Sequence, residues 1–476
     1  MAFTPEQEAS LLQVIEAFTN GKRLNELPFV GKDSNPFNLI SEVLDEDGEN
    51  KQAKLAELLP YIEEQCAYGI EFDTTISSPT CTRVGNLSLH KLLPIQSRMK
   101  GCLLDNNGKV VEYLNASNWR AHDLTGAKGQ VMVEIPKHYR RFDSDGTIRR
   151  VMVSEYPLPG YHIVNVSYVS AYEATIQRST SMLSSVVNMD ADYRGCENQS
   201  DWDGTYRSAL GRPATAISRT SFRNYARKRK AASSEWNCNV YEQYKTIYWL
   251  FTVEYANLNC QSAFNAQPTS EGFKQGGLGD GVTTLGSAEW STFNGYYPFV
   301  PCGHTDELGN NSGEVAYEII NESGAIQRTV MVPRYRGIEN AFGHIWKWTD
   351  GINIEIKNDA DGGTSKVYVC TDPAKFIDSG YSGYEFRGLE ARTSGYVKEL
   401  IFGEFGDIMP LLVGGGSTTY HCDYHYTSVS STSLRGVLFG GAANDGSGAG
   451  FACAYSVDAP SLATALLGSR LCFLPA

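Results

Sequence analysis

Residues 436–473 read GVLFGGAANDGSGAGFACAYSVDAPSLATALLGSRLCF, and the reading of this stretch decides the fold. It opens on an apolar run, Val437-Leu438-Phe439, and closes on another, Leu471-Cys472-Phe473. Between them stand small and turn-forming residues: Gly440, Gly441, Ala442, Asn444, Gly446, Gly448, Gly450, Asp458 and Pro460. Such residues give the backbone a path that rests on no large side chain. Loop side chains are then free to vary over a fixed scaffold, which is how recognition surfaces are made. An ordinary glycine-rich terminal hairpin carries the same pattern, because short glycine motifs recur widely.

Working outward, the preceding chain predicts two helices followed by short strands and long loops. Residues 218–230, SRTSFRNYARKRK, read as a helix with Phe222, Tyr225 and Ala226 inward. Residues 240–256, VYEQYKTIYWLFTVEYA, read as a second, mostly buried helix whose tyrosines, Trp249 and Phe251 supply large apolar area. Glycine-rich loops follow at 276–279, 414–416 and 440–441, and loops this long are usually functional. Trp346 and Trp348 alternate along one strand, so both face the same side and can pack the core beneath those loops.

Further back, Asp105-Asn106-Asn107-Gly108 and Asp143-Ser144-Asp145-Gly146 each stand between apolar runs and predict hairpins. Residues 131–135 predict a strand, and 71–165 are expected to form a small β-rich domain. Residues 1–70 read as a helical module: Thr4, Pro5 and Gln7 mark a helix start, and Leu11, Leu12, Ile15 and Phe18 share a face. The module suits attachment to a partner or serves as a simple helical cap. Residues 166–476 are expected to form the third and largest unit.

Composition narrows the function. The 476 residues carry 41 basic and 54 acidic side chains, a net charge of −13, which disfavours a general nucleic-acid binder. The 46 glycines and 27 tyrosines suit a loop-rich β protein with a paratope-like surface. No apolar run reaches membrane-spanning length, and MAFTPEQEAS lacks the basic-then-apolar order of a secretory signal. Eleven cysteines without a Cys-x-x-Cys predict reduced thiols and cytoplasmic assembly, with no zinc site of usual spacing.

Several blocks carry a family resemblance: Gly440-Gly441, Gly448-Ala449-Gly450 before Phe451, Gly468-Ser469-Arg470-Leu471, residues 218–227 and 247–262, Arg336-Gly337-Ile338-Glu339-Asn340, and Gly343 through Trp346-Lys347-Trp348 to Gly351. Together they resemble phage and bacterial proteins diversified by diversity-generating retroelements, of the major tropism determinant type. The resemblance covers roughly residues 166–476. It implies an α+β fold with a C-terminal C-type-lectin-like (formylglycine-generating-enzyme-like) domain, residues 436–473 being its variable-region-like segment. It also implies a virion tail-fibre or receptor-binding protein, assembled in the bacterial host cytoplasm, homotrimeric, joined to other phage structural proteins through the N-terminal module. Its partner would be a bacterial surface protein or glycan, with no nucleic acid and no membrane insertion. Alanines at 442, 443, 459, 463 and 465 stand where the family's variable region carries aromatic residues and asparagine.

The expected contact residues are Tyr420, His421, Asp423, Tyr424, Ala442, Ala443, Asn444, Asp445, Ser447, Phe451, Cys453, Tyr455, Asp458, Leu462, Thr464 and Leu466. Phe451 and Tyr455 would be aromatic anchors, with Asn444, Asp445 and Asp458 supplying directional hydrogen bonds. His421-Cys422-Asp423-Tyr424-His425 reads as a binding segment rather than a metal site, although on a strand its two histidines and Asp423 would share a face. His304-Thr305-Asp306-Glu307 lacks a third ligand, and Asp201-Trp202-Asp203-Gly204 lacks the later acid of a calcium loop. No catalytic residue, metal or cofactor is expected. Cys453 with Cys472 is the one pair that could match the cysteines of formylglycine-generating enzymes, and its surroundings differ from theirs. The basic run 227–230 is expected to be a solvated helix end. A particle-decorating structural protein and a surface-polysaccharide depolymerase remain as alternatives.

Overall fold

The computed structural model describes residues 63–475. The helices expected near residues 4–21 and 36–44 lie outside them. Of the one expected over 52–66, residues 63–66 are described and helical. Residues 67–70, assigned above to the helical module, instead begin the strand Ala67–Asp73. Their alternation sends Tyr68 and Ile70 into the core.

Strands predominate among the described residues, and they build three large sheets. The first is antiparallel and orders Thr82–Gly85, Ala67–Asp73, Ile148–Ser154, His138–Asp145 and His162–Val164. Its central hairpin is the second predicted one, with the turn moved to Gly146-Thr147 because Asp145 still pairs with Ile148. The second sheet orders Trp236–Cys238, Leu471–Phe473, Ser167–Ser170, Gln130–Ile135, Lys100–Leu104 and Val110–Tyr113. Its edge hairpin is the first predicted one. There Asp105 Oδ1 accepts from the backbone N–H of Asn107 and Lys109, both at 2.9 Å, and Gly108 takes the φ of +83° that closes the turn.

The expected domain boundary at 165 falls inside this sheet. Ser167–Ser170 pairs on one side with Gln130–Ile135 and on the other with Leu471–Phe473, so the C-terminal strand is held by the region meant to be separate. One hydrophobic core accordingly runs from Tyr68 and Val133 to Phe451 and Cys472.

The third sheet carries the C-terminal half. Its order is Glu385–Leu389, Thr364–Val369, Trp346–Lys357, Ser433–Gly440, Gly450–Ser456, Tyr424–Thr427, Gly395–Phe402 and Asp407–Val413, with Leu467–Gly468 pairing beside Trp346. The two outer ends curl toward each other: the Ala391 N–H donates to the Pro410 carbonyl at 2.9 Å. Trp346 and Trp348 share one face and one core cluster, as expected from alternation.

Both predicted helices form. Ser218 caps Arg219–Arg227, accepting from the Ser221 N–H at 3.3 Å. Phe222 and Ala226 are buried and Tyr225 is half-buried. Tyr241–Tyr255 is buried along every residue except Glu242, so no face of it is turned to solvent. The basic run is not solvated throughout. Arg229 is buried and donates to the Leu183 carbonyl, Ser184 Oγ and Asn106 Oδ1, and Arg227 donates to the Pro373 carbonyl. Burial lowers the Arg229 guanidinium to about 9.

Candidate ligand-binding face

The strands Tyr424–Thr427, Gly450–Ser456 and Gly395–Phe402 decide which side chains reach solvent. Tyr396 pairs with Tyr424 across antiparallel strands, and Tyr426 stands in parallel register with Tyr455. Period-two alternation then puts Tyr424 and Tyr426 on one face and His425 on the other. The result is a continuous aromatic row. Ring centroids are 5.1 Å apart for Tyr396–Tyr424, 4.6 Å for Tyr424–Tyr426, 5.9 Å for Tyr426–Tyr455 and 5.4 Å for Tyr455–Trp346. The four tyrosines are half-buried, whereas Trp346 is buried beneath them.

Hydrogen bonds fix three of the four hydroxyls. Tyr455 donates to Asp458 Oδ2 at 2.6 Å, Tyr426 donates to Asp445 Oδ1 at 3.1 Å, and Tyr396 shares a 2.8 Å bond with the exposed Ser447 Oγ. The Tyr424 hydroxyl has no hydrogen-bond partner among the described residues. Asp445 also accepts from the Ala442 N–H at 2.6 Å, and burial raises its carboxyl above the usual range. Asn444 Nδ2 donates to Ser287 Oγ at 3.0 Å. The row is therefore rigid, half wet, and flanked by polar groups from the 444–447 and 458 loops. Such a surface offers aromatic area at low entropic cost together with hydrogen bonds at its edge.

Of the expected contact residues, Asn444, Asp445, Ser447, Tyr424, Tyr455 and Asp458 come together here. Leu462 and Leu466 are half-buried and pack on the core cluster of Trp346 and Trp348, and Thr464 is half-buried with its carbonyl accepting from the Ala216 N–H. Tyr420 is half-buried, in a loop that reaches Ser77.

Six expected contacts are corrected. Ala442 and Ala443 are fully buried, because the Gly440-Gly441 turn folds them into the tryptophan core, where Ala443 bonds the Leu285 and His344 backbones, and Cys453 is buried in the same core from the strand Gly450–Ser456. Phe451 is 1 % exposed and meets Phe251 at 5.1 Å and Phe342 at 6.0 Å, so it is a core anchor and not a ligand anchor. His421 and Asp423 are buried as well. The segment is no strand until Tyr424, since Tyr420 and Cys422 take φ of +57° and +62°, which breaks the alternation assumed for it. Burial lowers His421 to about 3 and raises Asp423 well above its ordinary range.

Tyr396 and Tyr426 are the residues that sequence reasoning missed. Tyr426 was findable from its alternation with Tyr424. Tyr396 was not, since only the cross-strand register places it there.

The other chemical candidates resolve as structure. Asp306 accepts from the Tyr172 hydroxyl at 2.8 Å and faces Arg334, while burial raises its carboxyl to about 7. His304 bonds the Ala316 carbonyl, and Asp203 pairs with Arg194. Among the described residues no cluster of metal-ligating side chains occurs, no helix is long and apolar enough to cross a membrane, and every cysteine is buried as a free thiol.

No family model matches the chain, and no curated protein matches it. Among solved structures, it is similar to PvdO from Pseudomonas aeruginosa at a TM-score of 0.30 and 11% identity, over 74% of this chain and 97% of that one. It is also similar to the Major Tropism Determinant U1 variant, at 0.20 and 10% over 71% and 72% of the two chains. For the M1 variant the values are 0.21 and 11% over 83% and 90%. At these scores no residue correspondence follows, and the tyrosine row stands on its own geometry.

Proposed function

We propose that the protein is an adhesin, a phage tail-fibre or receptor-binding protein that recognises a bacterial surface protein or glycan. The observation that carries this reading is the row Tyr396–Tyr424–Tyr426–Tyr455. A rigid run of half-exposed tyrosines is costly to leave against water unless something covers it, and its edge hydroxyls and carboxylates supply direction. The parts of the 436–473 segment that reach solvent are the loop 444–447 bordering the row and the stretch 457–466, where Ala459, Ser461 and Ala463 are exposed. Retroelement diversification, if it acts on this chain, has room to act at those positions and not at Ala442, Ala443, Phe451 or Cys453. The N-terminal module as a joint to other particle proteins, the homotrimer and the virion location belong to the same proposal, and several copies per particle would multiply a weak single-site affinity. No catalytic role is part of it.

The test is binding of labelled full-length protein to a panel of bacterial strains, before and after treating the cells with protease or periodate. Saturable binding that one treatment abolishes is the expected result and names the receptor class. Failure to bind any strain, in trimeric or monomeric form, counts against the reading.

A further inference from the structure

A second concavity lies away from the tyrosine row. A groove of about 180 Å³ opens between the strand Ala67–Asp73, the 74–82 turn that follows it, and the loop joining Asp407–Val413 to Tyr424–Thr427. The loop is pinned on both sides: the Tyr420 N–H donates to the Ser77 carbonyl at 2.7 Å, and the Gly414 and Gly415 N–H groups donate to the Tyr396 carbonyl at 2.9 and 3.1 Å. Tyr420 holds a φ of +57°, and Lys398 Nζ stands 5.5 Å from its ring.

At the groove's inner wall is His421, 2 % exposed, with Phe72 edge-on at 5.8 Å. Its Nδ1 bonds the Tyr248 hydroxyl at 3.2 Å, and its Nε2 has no partner among the described residues. An imidazole nitrogen that no protein group holds is open to a ligand hydroxyl, whichever tautomer it adopts. The charges nearby cancel. Glu71 is paired with Arg150, and Asp73 and Lys398 carry opposite signs. The groove is roomy enough for several waters, and so for a small ring-shaped ligand. Two aromatic rings, a carboxylate, a threonine hydroxyl at Thr80 and an imidazole are the groups that grip such a ring through its C–H faces and hydroxyls.

We infer that this groove binds a single uncharged pyranose unit, with Tyr420 and Phe72 against the ring and His421 Nε2 and Asp73 on its hydroxyls. The inference does not rest on the tyrosine row. The bound unit could be part of a cell-surface polysaccharide or a free sugar.

The experiment is saturation-transfer NMR on the full-length chain with the methyl glycosides of glucose, galactose, mannose and N-acetylglucosamine, and with N-acetylneuraminic acid as the charged probe. At least one neutral glycoside is expected to show ring-proton saturation. Tyr420→Asn, which tolerates the positive φ, and Asp73→Asn are each expected to weaken it about tenfold, while Ile326→Ala, at an exposed position outside both the groove and the tyrosine row, leaves it unchanged. Asp73→Asn keeps the test decisive if the Tyr420 variant misfolds. Three results overturn the inference: no neutral glycoside saturates, the charged sugar alone does, or the folded groove variants bind as the parent does. Competition by purified capsule polysaccharide separates a surface glycan from a free sugar as the source.

Discussion

Asp423 occupies the space that a side chain on Gly450 would need. A Cβ built there would stand 1.8 Å from Asp423 Oδ1, and Asp423 Oδ2 accepts from the Ala452 N–H at 2.7 Å. The buried acid thus locks the segment before Tyr424 to the strand that carries Tyr455, and it sets the register of the aromatic row.

Gly450→Ala should therefore be destabilising although its backbone is extended. The overpacking cost is about 1–3 kcal/mol. Urea unfolding reads it as a lower midpoint at unchanged slope. A variant as stable as the parent would mean that Asp423 does not pack against Gly450.

The helix Arg219–Arg227 is tied to the third sheet by a buried ion network. Arg223 Nε lies 2.5 Å from Asp350 Oδ2, and Arg223 and Arg219 both reach Asp378 Oδ1, at 2.8 and 2.5 Å. Asp350→Ala strands a buried guanidinium, which costs about 3–5 kcal/mol. Thermal unfolding checks this. A loss below about 1 kcal/mol would mean that Asp378 alone satisfies both arginines.

Glu390 is buried against His425, 3.9 Å from its Nε2, and accepts from Ser456 Oγ at 3.1 Å and Thr427 Oγ1 at 3.3 Å. Burial raises its carboxyl to about 8 and lowers His425 to about 4, so both are neutral near pH 6. A raised acid contributes stability that is full below its unfolded value near 4.5 and is lost as pH climbs through about 8. Glu390→Gln removes that dependence. The melting temperature of the variant minus that of the parent should accordingly rise from pH 5 to pH 9. A flat difference would place Glu390 in a more solvated setting.

Legibility followed the reach of each interaction. Hairpins, the two helices at 219–227 and 241–255 and the Trp346–Trp348 alternation depend on neighbours in sequence, and they were readable. So was the burial of most of Tyr241–Tyr255, from its tyrosines, Trp249 and Phe251, although Lys245 and Glu254 are buried in it as ion-paired charges. The sheet joining Ser167–Ser170 to Leu471–Phe473 was not, since it pairs residues about 300 apart and nothing local marks it. Phe451 misled for a related reason. A phenylalanine after a glycine turn suits a loop tip or a core plug equally, and only the helix Tyr241–Tyr255 beneath it decides. The His421–His425 segment failed where two positive-φ residues replaced the assumed strand.

The central claim is that the tyrosine row, and not the buried residues of the 436–473 segment, meets the receptor. The direct measurement is titration of the labelled full-length chain on a strain it binds, parent beside the double variant Tyr424→Ala/Tyr426→Ala and beside Ala443→Gly, with melting temperatures confirming folding. Loss of the tyrosine pair is predicted to cost more than about 2 kcal/mol, roughly thirtyfold in affinity, while Ala443→Gly leaves affinity unchanged. Parent-like binding by a folded double variant would contradict the account.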